Sequence, residues 1–170
     1  MKEVFAKTIL LCQESLEEMT EKIDGVVYAK ALSAHRFQTG KNTFDQIDSI
    51  VRLINKKNEL INLRILAEDT LSKTDAISAG ILKRHYWKGM SHGEIIEMLG
   101  IPERTYYRKL EKAVKLFAAR LTSEGFDDAW FRDVYFGQRW IKDLYQRTER
   151  KEAAKQKAAK TSAQNKPPLH

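Results

Sequence analysis

The sequence predicts an all-α fold: a helical N-terminal region, a pair of helices joined by a tight turn, and a C-terminal helix. Three observations carry this expectation. Apolar residues recur at i, i+3 and i+4 along most of the chain, and no stretch alternates apolar and polar residues between turn signals. Only three prolines occur, two of them adjacent near the C-terminus, so little interrupts helices elsewhere. With 170 residues, 42% of them hydrophobic, the chain has enough apolar content for one ordinary domain or for a small domain with helical extensions.

From about Lys2 to Met19, Val4, Phe5, Ile9, Leu10, Leu11 and Leu16 define one helix, and a second is expected from near Ile23 to Ala34 with Gly25 inside it. The stretch His35 to Asn42 has the glycine and polar density of a loop. Thr43 with Gln46 is a candidate capping box that opens a long helix of about six turns. That helix carries Ile47, Ile50, Val51, Ile54, Ile61 and Ile65 on one stripe, widened by Leu53, Leu60, Leu63 and Leu66. The stripe is expected to pack on the N-terminal helices of the same chain; the alternative is a coiled-coil-like homodimer surface. Asn55, Lys56, Lys57 and Asn58 read as its solvated face. Leu71, Ser72 and Asp75 are expected to begin the next helix, which carries Ile77, Ile81, Leu82 and Tyr86 and ends near Lys88 and Gly89.

The stretch Met90 to Arg120 constrains geometry most tightly. Ser91 followed three residues later by Glu94 is a capping box, so a helix starts there. Ile95, Met98 and Leu99 form its apolar stripe, and Gly100 stands where a chain leaving a helix through a left-handed residue favours glycine. Ile101 anchors the turn, Pro102 suits the first turn of a new helix, and Glu103 favours the positive end of its dipole. Tyr106, Leu110, Ala113, Val114 and Phe117 then recur on the inner face, leaving Arg104, Tyr107, Arg108, Glu111, Lys112 and Lys115 on others. A turn this tight makes the second helix cross the first steeply, so that it protrudes far enough to enter a DNA major groove about 12 Å wide. This pattern is a helix-turn-helix.

Charge agrees with that reading. The net charge is +7, and the window from Lys83 to Arg120 holds nine Lys or Arg against four Glu, so five of those seven charges sit there. Downstream, Phe126, Trp130, Phe131, Val134, Tyr135, Phe136, Trp140, Ile141, Leu144 and Tyr145 make one aromatic amphipathic helix, expected to dock on the N-terminal helices, with a subunit or RNA polymerase contact as the sharper alternative. Thr148 to His170 starts as a polar alanine- and lysine-rich helix, lacks a hydrophobic face and is expected to fray into a disordered basic tail. The expected organisation is therefore a helical region over 1–70 able to dimerise, a DNA-binding domain over 71–121, an aromatic helix over 122–147 and a tail over 148–170.

Other classes are set aside by what the chain lacks. The single cysteine, Cys12, excludes an internal disulfide framework, and no cluster of Cys and His reaches metal-ligand spacing. No nucleophile and base arrangement or phosphate-cradling glycine loop is present, so neither an enzyme nor a bound cofactor is expected. No run approaches the roughly 18 apolar residues of a membrane span. A cytoplasmic protein with no membrane partner is expected.

Residues 71–121 resemble region 4 of bacterial sigma factors. The resemblance rests on Leu71, Tyr86, Gly89-Met90-Ser91, Glu94-Ile95, Leu99-Gly100-Ile101 and Arg104-Thr105, and it covers about fifty of the 170 residues. Arg104 to Arg108 and Phe117-Ala118-Ala119 are closer to small phage and prophage regulators of the ArpU and RinA type. Three positions depart from the family: Ile96 stands where alanine is usual, Tyr106 where valine or isoleucine is usual, and Pro102 where a Ser or Thr cap is usual. The two larger side chains imply a wider or rotated helix crossing.

The resemblance implies a sequence-specific, double-stranded DNA-binding transcription regulator of the late-gene activator kind. Resemblance and helix phase agree on Arg104, Tyr107 and Arg108 as groove-facing, with Thr105, Lys109, Lys112 and Lys115 as backbone contacts. Ser91 and His92 stand where a phosphate can be met, plain surface exposure being the blander role of His92. One recognition helix reads only a few base pairs, so specificity requires a homodimer or a second anchor such as RNA polymerase. The rival functions are a phage small terminase subunit, in which the same motif serves DNA packaging, and a polymerase- or sigma-binding module that does not bind DNA.

Overall fold

The computed structural model describes residues 3–36 and 43–164, and the regular elements among them are all helical. In order they are α1 (Val4–Arg36), α2 (Thr43–Ser72), α3 (Ala76–Leu82) continued by a π-helical turn (Lys83–Trp87), α4 (His92–Leu99), α5 (Glu103–Ser123), α6 (Asp128–Tyr135) and α7 (Arg139–Gln164). The chain divides into two compact units, one of Ile9–Ala113 and one of Met1–Thr8 with Val114–His170. Residue 70, after which a boundary is expected, lies inside α2, which runs to Ser72. Among the described residues no helix is long and apolar enough to cross a membrane.

In the first unit, α1 is a single helix rather than the expected two. Gly25 does not break it, because a glycine in a helix interior costs only about 1 kcal/mol against alanine. Ile9, Leu10 and Leu16, all buried, hold the preceding turns in place. Helices α1 and α2 run antiparallel: Lys57 Nζ meets the Asp24 carboxylate at 2.7 Å, while earlier α1 residues Leu16 and Thr20 share a groove with the later α2 residues Leu60, Ile61 and Ile65. The loop expected between them falls on 37–42, outside the described residues.

The face that α2 buries is the leucine face. Leu60, Leu63, Ala67 and Leu71 are buried, whereas Ile47, Val51, Ile54, Ile61 and Ile65 stay 40–57% exposed. Of the stripe expected to pack within the chain, the widening residues Leu60 and Leu63 are buried, while most of the isoleucine row stays exposed. Asp75, not Leu71 or Ser72, begins the next helix, its Oδ2 accepting the Ser78 N–H at 2.9 Å. That bond and the contact with the Ser78 hydroxyl hold the Asp75 carboxyl below the usual carboxylate range. The π turn then closes through Lys88 N–H to the Lys83 carbonyl, and Gly89 leaves it at φ +61°.

In the second unit, Val4 and Phe5 at the start of α1 are buried, as are Phe117, Leu121, Phe131, Tyr135, Ile141 and Tyr145. The expected single aromatic helix is two. Asp127 Oδ1 caps α6 by accepting the Trp130 N–H at 2.9 Å, and Phe136 to Gln138 separate α6 from α7. The two helices are tied by Tyr145, whose hydroxyl donates to Asp128 Oδ1 at 2.6 Å and accepts from Arg132 Nη2 at 2.7 Å. Burial, and then the bond to Asp128, pushes the Tyr145 phenol up to about 12.

Helix α7 continues to Gln164, so the helical start expected after Thr148 extends over most of the segment expected to fray. Thr148 is buried, and Glu152 pairs with Lys7 at 2.8 Å. Alanine, lysine and glutamine are good helix formers, and extending a helix already anchored avoids the cost of nucleation. The end of the chain, 165–170, lies outside the described residues.

Candidate nucleic-acid interface

Local chemistry sets α4 and α5 at the two ends of a three-residue connection. At Ser91 the capping box forms in full: Glu94 N–H donates to Ser91 Oγ at 3.3 Å, and Ser91 N–H donates to Glu94 Oε2 at 2.8 Å. The Ser91 hydroxyl donates to the same carboxylate oxygen at 2.8 Å. These bonds, the backbone one foremost, hold the Glu94 carboxyl below the usual range. Gly100 ends α4 at φ +59°, in the left-handed region where a Cβ is strained, and its N–H bonds the Ile96 carbonyl at 3.0 Å. Pro102 precedes α5 and its carbonyl accepts the first bond of that helix, from Tyr106 N–H at 3.0 Å.

Ile81 of α3, Ile95 of α4 and Tyr106 of α5 form a fully buried cluster, with Met90, Ile96, Leu99, Ile101 and Leu110 packed on it. Three helices thus share one small core. Ile95 and Leu99 of the expected stripe pack in this core with Ile96 beside them, while Met98, the third residue of that stripe, is 49% exposed. Tyr106 fits because its hydroxyl hydrogen bonds His92 Nδ1 at 2.9 Å; a buried hydroxyl without a partner costs about 1–3 kcal/mol. Burial, and to a lesser degree Tyr107, pushes the Tyr106 phenol up.

His92 is consequently half-buried rather than plainly exposed. Its ring stacks on His85 at 4.3 Å and lies 5.3 Å from the ring of Tyr107. His85 in turn donates Nδ1–H to the Met90 carbonyl at 3.1 Å. His92 Nδ1 and Ser91 Oγ are thus engaged within the fold. This cluster of His85, His92, Tyr106 and Tyr107 was not foreseen. It depends on the π turn, which brings His85 back toward α4 and has no marker in the local sequence.

The outward face of α5 is cationic. Arg104, Tyr107, Arg108 and Lys112 are exposed, and Thr105 and Lys109 are half-buried on its flank. Lys115, also exposed, lies farther along the same helix in the second unit. At about 100° per residue, Arg104 and Arg108 project opposite Tyr106, Leu110 and Ala113, so burying the inner face leaves the guanidinium groups in water. Among the described residues neither arginine has an ion-pair partner, so the alternative of neutralisation by Glu103 or Glu111 is not realised. Each guanidinium keeps five N–H donors in a planar fork that matches a phosphate or the O6 and N7 edge of guanine. No family model, curated protein or solved structure matches this chain.

Proposed function

We propose that α4, the Gly100-Ile101-Pro102 turn and α5 are a sigma-region-4-like helix-turn-helix that binds double-stranded DNA, and that the protein regulates transcription in the manner of phage late-gene activators. The observation that supports this most is the pair Arg104 and Arg108: two exposed, unpaired guanidinium groups one turn apart, on a helix whose opposite face is locked in the core by Tyr106. Tyr107, 43% exposed beside them, offers an apolar edge for a thymine methyl. Lys109, Lys112 and Lys115 supply charge for the phosphate backbone.

Fluorescence anisotropy with promoter-length duplexes tests the proposal. Binding should be tight near 50 mM salt and fall steeply toward 200 mM. Arg108→Ala should weaken the specific site by about 5- to 150-fold while sparing nonspecific DNA. Lys115→Ala should weaken both and lower the salt slope by about one. Absence of affinity near 50 mM overturns the reading, and equal effects of the two substitutions overturn the assignment of faces.

A further inference from the structure

We infer that the exposed face of α2 is the seam of a parallel two-stranded coiled coil with a second copy of this chain. The inference does not rest on the DNA reading. Phe44, Ile47, Val51, Ile54, Asn58, Ile61 and Ile65 follow one another at alternating spacings of three and four, the a and d positions of three heptads. All seven are exposed, the six apolar ones by 40–72%. Leu60, Leu63 and Ala67, which are buried, fall at positions c and f across the helix. Ile61 and Ile65 also border the groove that Leu16 and Thr20 line, and the row from Ile47 to Ile65 keeps its outer side in water over about 28 Å.

The occupant follows from the chemistry of the seam. Its apolar side chains leave on the order of 500 Å² in water per copy, most of the roughly 800 Å² per partner that a standard interface buries, before the flanking rows add theirs. Asn58 is the one polar residue in the row and stands at an a position. In a parallel, in-register dimer a meets a, so Asn58 meets Asn58 of the second copy and the two amides hydrogen bond. In an antiparallel pair a meets d, and every d position here is isoleucine, so Asn58 would be buried against a side chain that cannot bond it. Flanking charges agree: position g Arg64 faces position e Asp69 of the other copy, while Lys57 faces Asn62, so no like charges oppose. Isoleucine at d by itself favours higher-order bundles, and the asparagine at a selects the pair.

Sedimentation equilibrium of the full chain without DNA tests this separately from any DNA binding. The expected mass is twice the 19.7 kDa of one chain. Ile54→Asp should return it to one chain with helical content unchanged, since Ile54 is 42% exposed and supports no core. Asn58→Val should tighten association and raise the mass above a dimer. Ile47→Cys should cross-link to itself on oxidation; in an antiparallel pair with a against d the two sites would stand about 16 Å or more apart along the axis, beyond the roughly 7 Å that a disulfide spans. The natural Cys12 is buried and its thiol pushed up by that burial, so it does not compete. A single-chain mass at micromolar concentration, a dimer indifferent to Ile54→Asp, a larger ring, or no cross-link at Ile47→Cys would each overturn the inference.

Discussion

Helices α2 and α5 each bury one face of leucine, alanine or aromatic side chains and leave the other in water, and what they leave there is opposite in kind. On α2 the outer face is Ile47, Val51, Ile54, Ile61 and Ile65. On α5 it is Arg104, Tyr107, Arg108 and Lys112. A guanidinium in water is at rest, so the outer face of α5 imposes no cost on the lone chain and awaits a polyanion. An isoleucine row in water forfeits about 25 cal/mol for each Å² it exposes, so the outer face of α2 favours any apolar cover. The inner faces belong to the fold, and the outer faces differ in the chemistry they offer, which is what the two proposals rest on.

The comparison breaks or sharpens at single residues. The largest effect is expected within α2, between its two faces: Leu60→Ala, at a site 1% exposed, should lower stability by about 2–5 kcal/mol in urea unfolding, whereas Ile47→Ala, at a site 56% exposed, should change the unfolding of a diluted single chain far less. Equal losses would mean that the two faces of α2 are not distinct. Next come the outer faces: Arg108→Ala should cost about 1–3 kcal/mol of specific DNA affinity and leave the sedimenting mass unchanged, and Ile54→Asp should change that mass. A mass that drops with Arg108→Ala would merge two surfaces held here to be separate.

The smallest effects lie at the helix start that aims α5. Ser91→Ala should cost about 1 kcal/mol in thermal unfolding. Glu94 has a folded-state pKa below its unfolded one, so its contribution is present above the ordinary carboxyl value of 4.5 and is lost as pH falls through the folded value. Melting temperature should therefore drop with acid, and Glu94→Gln should flatten part of that drop. An unchanged acid profile in Glu94→Gln would remove the capping box from the stability of α4.

Much of the candidate interface was legible because its determinants are local. The Ser91 to Glu94 box, the left-handed Gly100 and the phase of Arg104 and Arg108 against Tyr106 each depend on bonds or periodicity spanning a few residues. The role of His92 was not legible, since its partners Tyr106 and His85 reach it only after α3, the π turn and α5 have packed. Asn55, Lys56 and Asn58 are exposed, as a solvated face predicts, but which of the adjacent isoleucine and leucine rows turns inward is not written in the local sequence.

By itself, then, the sequence determined the all-α class, the turn at Gly100 to Pro102 and the cationic outer face of α5, because helix period, capping and charge are written in neighbouring residues. Tertiary structure alone decided that α1 is one helix, that α7 continues past Thr148, that Tyr106 lies against His92, and which side of the apolar girdle of α2 turns inward. Such choices depend on competition between faces of similar hydrophobicity for a limited inner surface, and that competition is resolved only by what packs there.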